Sequence, residues 1–489
     1  MALKPIGAVF GTVGSAAFRI AVSDTTLRRN DYVKVEHPTC GWVLGQVVDL
    51  NRESDVSYEK ASKMLSGEQI VVQEKIIASV HMAGYRDERG ILQHPETPLP
   101  AGSMIFRADA DIIKNVLGLD RKPKGAAYLG LLKGHSDIKV YLDLNTIVSS
   151  HVSILAKTGG GKSYTVGVFL EEMIKRGVPA VVIDPHGEYA SLAHPNNSER
   201  DQALMDVFDV KPRGYADHVV EFSPDRKLNP HALQFAFDSV NLAIEDLAEF
   251  TGIPFSGPQI TALDTIIKDL KKETPFYTLR NLIDAIKASS SPARWSLVAP
   301  LEQLESMGLF SKNPTKISDL VKASQISIVN LKGVPPEVGE MIVARLCTKL
   351  FDARKLDKIP ALMLVIEEAH NFCPQIGVAK STGILKTIAA EGRKFGLGLC
   401  VVSQRPAKVD KNILSQCHTQ IILKVTNPND LKAISQSVEG LTEGMIDEVR
   451  ELAIGEALIT GGAVAAPIVL KTRVRETRHG GGSVQVVRG

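Results

Sequence analysis

Val152-Ser-Ile-Leu-Ala156-Lys-Thr-Gly-Gly-Gly-Lys162-Ser163-Tyr164 decides how the rest of the chain reads. An apolar run fit for a buried strand comes first, and a helix-compatible run follows from residue 164 to residue 176. Between them, three consecutive glycines close on a Lys-Ser pair. Glycines let backbone N–H groups turn inward around an anion, and the helix start adds the positive end of its dipole. A strand, a Gly-rich turn ending in Lys-Ser and a helix make a phosphate-binding loop. Lys157, Thr158, Gly159, Gly160, Gly161, Lys162, Ser163 and Tyr164 are therefore the candidate contacts to ATP. Lys162 is expected to reach the β- and γ-phosphates, and the Ser163 hydroxyl to ligate Mg²⁺. The pattern departs from the strict motif once, with Ala156 where a glycine usually stands. A chance Gly-rich turn before an ordinary helix is the competing explanation, and the full strand–loop–helix context weighs against it.

The next informative stretch is Ala361-Leu-Met-Leu-Val-Ile-Glu367-Glu368-Ala-His370. A continuous apolar run ending in two carboxylates predicts a central parallel strand whose carboxyl end opens into a ligand crevice. Glu367 is assigned to the Mg²⁺ water shell and Glu368 to polarising the attacking water, although the first acid is more usually Asp. A solvated Glu-Glu strand exit is the bland alternative. Asp184, in Val181-Val-Ile-Asp-Pro-His-Gly-Glu188-Tyr, could tune metal or water, or equally cap the following turn. Gln404 ends the run Leu399-Cys-Val-Val-Ser-Gln, where an amide can sense the γ-phosphate. Arg393, in Ala390-Glu-Gly-Arg-Lys-Phe-Gly396, is placed to act on a neighbouring subunit's nucleotide, with Arg405 as competitor. The simpler account of Arg393 is a cation favoured by a helix C-terminus. His370 lacks a second ligand at metal spacing and is read as structural.

Around this core the chain divides by pattern. Its 489 residues suggest about three domains. Residues 1–110 carry short β-branched runs between Gly, Asp-Thr and His-Pro turns, which predicts a small β-barrel or sandwich. Residues 111–150 read as a linker or strap. Residues 151–227 and 319–475 alternate apolar strands with amphipathic helices, the α/β pattern, here around a P-loop. Residues 228–318 interrupt it with helical segments, read as an insertion. Residues 476–489 read as a basic C-terminal tail. Composition is that of a globular protein, with 44% hydrophobic and 23% charged residues. Lys+Arg number 57 and Asp+Glu 55, a net +2, which argues against coating nucleic acid by bulk charge. The five cysteines form no CxxC pair, so neither a zinc site nor a disulfide framework is expected. No membrane span and no signal peptide are read, which makes a cytoplasmic protein the expectation.

Lys157-Thr-Gly-Gly-Gly-Lys-Ser-Tyr, Asp184-Pro-His-Gly-Glu-Tyr, Ile366-Glu-Glu-Ala-His-Asn and Glu391-Gly-Arg-Lys-Phe-Gly with Ser403-Gln-Arg-Pro together resemble the HerA family of archaeal DNA translocases, in the HerA/FtsK superfamily. The resemblance covers essentially the whole chain, β-rich N-terminal region included. It implies that residues 151–227 and 319–475 form a RecA-like P-loop NTPase core, assembled as a homo-hexameric ring on double-stranded DNA, with a NurA-type nuclease partner and resection of double-strand ends. The lack of a membrane span favours this branch over the FtsK-like one. A ring motor needs loops that grip DNA, and two segments follow catalytic strands directly. One, residues 372–382, offers Lys380, Ser381 and Thr382; the other, residues 405–411, offers Lys408 and Lys411. Cations and hydroxyls suit phosphate contacts that ignore base sequence. Ordinary solvated loops are the alternative. A ring that remodels proteins, or a P-loop scaffold without motor function, are the competing readings of the chain.

Overall fold

A computed structural model describes residues 4–120, 124–274, 276–438 and 441–481. Six strands of the N-terminal region, Gly7–Phe10, Ala17–Val22, Tyr32–His37, Gly41–Ser54, Glu74–Arg86 and Met104–Arg107, form a ring of hydrogen-bonded neighbours. The ring closes where Ala17–Val22 pairs antiparallel with Glu74–Arg86. Closure removes the exposed edges that a small sheet would otherwise present. Ile20, Val33, Val35, Val43, Val80 and Ile105 fill the interior, consistent with the period-2 alternation along each strand.

The main sheet has twelve strands among the described residues. Eight are parallel, in the spatial order Leu233–Gln234, Val219–Ser223, Ile326–Asn330, Ala180–Asp184, Leu362–Ile366, Leu397–Ser403, Val152–Leu155 and Thr419–Ile422. Four antiparallel strands extend it: Glu456–Gly461, Ile468–Thr472, Ala126–Leu132 and His135–Asp143. The inner parallel strands are buried along their whole length, which is why they read as unbroken apolar runs. The hairpin of residues 126–143 corrects the reading of 111–150 as linker: Ala126–Leu132 is wholly buried and pairs with Ile468–Thr472.

Helices Ile244–Thr251, Gly257–Glu273, Leu279–Ala288 and Arg294–Ser306 lie between the strands Phe237–Asp238 and Phe310–Ser311. Leu263, Leu282, Ile283, Ile286, Leu297 and Leu301 join them to the core on one side of the sheet. No helix among the described residues is long and apolar enough to cross a membrane.

Residues 473–477, which the sequence reading divides between core and basic tail, pack into the fold. Arg473, Arg475, Glu476 and Thr477 are buried, and Asn196 N–H donates to the Glu476 carbonyl at 2.9 Å. Residues 482–489 of the expected tail lie outside the described residues.

Candidate nucleotide site

The carboxyl ends of the central parallel strands lie along one edge, fixed by register. Leu155 pairs with Ser403, Ile183 with Ile366, and Ile366 with Val401. The residues that follow those ends therefore converge: the Gly-rich loop after Leu155, Glu367 and Glu368 after Ile366, Gln404 after Ser403, and Asp184 at its own strand end. The Gly-rich loop, Glu367, Glu368 and Gln404, together with Ser163, Tyr164 and Glu188, border a cleft of about 1160 Å³; Asp184 is buried behind them.

The loop turns tightly because Gly159 and Gly161 take φ values of +73° and +94°. Side chains rarely adopt that region, so the glycines at these two positions follow from geometry. The helix Lys162–Lys175 begins at once, capped by Gly161 with no side-chain bond to its first N–H groups. Those free donors and the dipole make an anion seat.

Lys162 Nζ lies 2.6 Å from Glu367 Oε1 and also bonds Glu368 Oε1. All three side chains are buried. Burial works against the Lys162 charge, but the two glutamates outweigh it and hold the ammonium above its ordinary range. Burial likewise pushes Glu367 up, against the pull of Lys162 and of Tyr189, whose hydroxyl donates to Glu367 Oε2 at 2.7 Å. Glu368 sits at φ +49°, a left-handed conformation that costs a residue with a Cβ about 1–3 kcal/mol. Its Oε2 is buried 3.3 Å from His370 Nδ1 yet makes no hydrogen bond there. His370 Nδ1 also meets Ser403 Oγ at 3.3 Å, and burial pulls its imidazole below the usual range.

Asp184 accepts N–H bonds from His186, Gly187 and Tyr189 at 3.2, 2.9 and 3.1 Å. It thus caps the turn that carries Tyr189 to Glu367, one of the two alternatives left open by its position. Burial pushes its carboxyl up to about 7 despite those three donors. Thr158 Oγ1 donates to Gln404 Oε1 at 2.5 Å, so the loop and the end of the neighbouring strand are directly joined.

Arg393, in the turn Gly392–Phe395, and Arg405 are both exposed, and neither borders the cleft of its own chain. Lys380, Lys408 and Lys411 are exposed as well. The two loops run against each other: Gln375 N–H donates to Lys408 O at 2.8 Å, and Asp410 N–H to Cys373 O at 2.9 Å. Ser381 and Thr382 correct the expectation of free hydroxyls. Both are buried, and both donate to the Phe372 carbonyl, at 2.7 and 3.4 Å. They shape the loop rather than face an outside ligand.

The sequence reading missed Tyr189 as a partner of Glu367 and missed residues 471–479 as a wall of the cleft. The Tyr189 signal was present in Asp184-Pro-His-Gly-Glu-Tyr, but its target lies 178 residues away.

A parallel sheet with a Gly-rich loop between strand and helix, facing paired carboxylates on a nearby strand, defines a P-loop ATPase with a RecA-like core. Residues 127–350 match the family model described as helicase HerA, central domain. The DNA double-strand break repair helicase HerA of Saccharolobus solfataricus is 30% identical over 386 residues, covering 77% of this chain and 73% of that protein. A probable helicase of Methanocaldococcus jannaschii is 30% identical over 423 residues, covering 81% and 76%. The chain belongs to the HerA helicase family and is an ATP-hydrolysing enzyme. It is also similar to the solved structure of VirB4 of Thermoanaerobacter pseudethanolicus, with a TM-score of 0.47 and 16% identity over 71% of this chain and 96% of that one.

Proposed function

We propose that this chain is an ATP-driven translocase and helicase on double-stranded DNA. In this reading it works as a homo-hexameric ring with a NurA-type nuclease in the resection of double-strand ends for recombinational repair. The observation that carries the motor reading is the Lys162 ammonium held between Glu367 and Glu368, with a cationic loop following directly from each of two catalytic strands. Relatives named for DNA double-strand break repair support the process.

The donor set fits Mg²⁺, a hard cation that takes oxygen ligands: the Ser163 hydroxyl and the Glu367 carboxylate border the same cleft. When bound, the metal supplies positive charge to the β- and γ-phosphate oxygens. Lys162 neutralises the triphosphate, and the N–H groups of Lys157 to Tyr164 cradle it. Glu368 accepts the proton of the attacking water, its uncommitted Oε2 being the available acceptor. Gln404, joined to Thr158, registers the phosphate state and passes it to residues 405–411. Arg393, exposed and away from its own cleft, stabilises charge in a neighbour's site, with Arg405 the alternative. Lys380, Lys408 and Lys411 contact DNA phosphates without reading bases.

One observation favours the second reading, a protein-remodelling ring. Ile376 and Val378, in the loop after Glu368, are 91% and 90% exposed, and apolar tips suit a polypeptide better than phosphates. ATP hydrolysis measured with linear duplex DNA and with an unfolded protein, beside Lys162→Ala, separates the two. Stimulation by duplex alone, lost in the variant, supports the translocase. Stimulation by unfolded protein alone overturns it.

A further inference from the structure

The motif Asp184-Pro-His-Gly-Glu-Tyr189 is one that the hydrolysis chemistry leaves unused. Its place in the sheet says what it serves. Strand Ala180–Asp184 runs beside strand Leu362–Ile366 with Ile183 paired to Ile366, and Glu367 N–H donates to Ile183 O at 3.2 Å. The segment that follows the first strand is therefore brought against the carboxylate that follows the second.

That segment turns at once. Asp184 accepts the N–H groups of His186, Gly187 and Tyr189, and Gly187 takes φ +74°. Tyr189 then opens the short helical turn Tyr189–Ala193 with no exposed surface of its own. Its hydroxyl donates to Glu367 Oε2 at 2.7 Å, while Lys162 Nζ lies 2.6 Å from Oε1. Each oxygen of the buried carboxylate thus faces one donor. The last torsion of a glutamate has broad wells, so a carboxylate with a single donor can turn about it. A second donor on the other oxygen removes that freedom. The two donors differ in kind. Lys162 is a flexible cation that the triphosphate also requires, and it bonds Glu368 as well. Tyr189 is a packed ring whose neutral hydroxyl orients the carboxylate without cancelling its charge. The segment that carries it is braced by a C-terminal strap, residues 471–479. Arg478 N–H donates to His194 O at 2.9 Å. Tyr215 N–H donates to Leu192 O at 3.0 Å, and its hydroxyl to Glu476 Oε2 at 2.6 Å. Arg473 anchors the strap on Glu171 and Glu172, at 2.9 and 2.8 Å, on the helix that opens at Lys162.

We propose that Tyr189 is a positioning residue for the metal-side carboxylate: its hydroxyl keeps Glu367 turned to the cleft when the triphosphate draws Lys162 away, and so sets the affinity for Mg²⁺. The turn from Asp184 to Glu188 is what delivers that hydroxyl. Groups that orient a metal's ligand commonly contribute roughly 10–100-fold to its affinity. The inference rests on the assignment of Glu367 to Mg²⁺, so its test must fail separately from that assignment.

The experiment uses the full chain carrying Glu368→Gln, so that binding is measured with little turnover. Calorimetry gives the ATP dissociation constant with Mg²⁺ and with EDTA, in that parent and in added variants Tyr189→Phe and Tyr215→Phe. Tyr189→Phe keeps the buried ring and removes only the hydroxyl. Tyr215→Phe removes a matched bond from a buried hydroxyl to a buried glutamate, neither of which borders the cleft. The gain in ATP affinity on adding Mg²⁺ should shrink about tenfold in Tyr189→Phe, while its affinity in EDTA stays at the parent's. Tyr215→Phe should match the parent in both. A parent-sized Mg²⁺ gain in Tyr189→Phe overturns the inference. An equal loss with Mg²⁺ and with EDTA also overturns it, by placing the effect on the phosphates. So does a gain that shrinks as much in Tyr215→Phe, which would be general loosening of the braced segment. A parent whose ATP affinity does not respond to Mg²⁺ overturns this inference together with the assignment of Glu367 to the metal.

Discussion

Replacing Arg473 by Met tests whether the strap is bound into the core or merely rests on it. Arg473 has no exposed surface and bonds two carboxylates, Glu171 and Glu172, that are themselves buried. Removing one partner of such a cluster leaves charge stranded away from water, at a cost of about 3–5 kcal/mol. At about 2 °C per kcal/mol, the value for large domains, the unfolding midpoint of the ATPase domain should fall by roughly 6–10 °C. An internal comparison calibrates this. Lys268 pairs with Asp264 at 2.6 Å, but both side chains are largely exposed, and such pairs contribute about 0–1 kcal/mol. Lys268→Met should therefore shift the midpoint by little or nothing. The pH dependence adds a sign. In the intact chain, burial raises the Glu172 carboxyl, but Arg473 and Lys175 outweigh it and hold the group below its ordinary range. That stabilises the fold above the unfolded-state value and is lost as pH falls below it. Without Arg473 burial dominates, the folded carboxyl moves up, and stability is lost as pH rises instead. The deficit of Arg473→Met should thus be small near pH 5 and larger at pH 8, read by thermal denaturation across that range. Equal midpoints for Arg473→Met and Lys268→Met, or a deficit that does not grow with pH, would refute the argument.

Glu368→Gln should retain ATP binding while turnover falls by about 10²–10⁴-fold, the usual contribution of a general base; single-turnover hydrolysis checks this. Lys162→Ala should abolish hydrolysis, and because it also strands Glu367 and Glu368, its midpoint should fall as well. Arg393→Ala should assemble like the parent by sedimentation yet lose about 10³-fold or more in turnover, and normal turnover would transfer the role to Arg405. Lys408→Ala combined with Lys411→Ala should weaken duplex binding across all sequences and lower the salt slope of log affinity by about 2, since each lost phosphate contact removes about 0.9.

The parts of this molecule that are legible in sequence are those whose cause is local. The strands at residues 152–155, 180–184 and 362–366 announce themselves because a strand buried on both faces must be apolar at every position. The phosphate loop does so because its glycines and its Lys-Ser pair are adjacent in the chain. The paired carboxylates are readable because they sit at the end of such a strand. Where the cause is distant, the same rules mislead. Ser381 and Thr382 look like hydroxyls on an exposed loop, and only the return of the chain onto Phe372 uses them up.

The strap is the clearest case. Residues 471–478 hold four of the five Lys/Arg that follow residue 470, and a charge-rich segment near a chain end is ordinarily solvated. What buries Arg473 and Arg475 is the pair Glu171 and Glu172, some 300 residues earlier, in the largely apolar buried stretch Val166–Ile174 of the helix. Two adjacent glutamates on a helix flanked by phenylalanine, leucine and methionine are costly to bury unless cations arrive to meet them. That cost was visible in Phe169-Leu-Glu-Glu-Met173. A helix that opens at Lys162 and is buried around its circumference requires a cationic partner at residues 171 and 172. Which segment supplies it is not readable locally; Arg473 and Arg475 do, and they bring the strap to the border of the cleft.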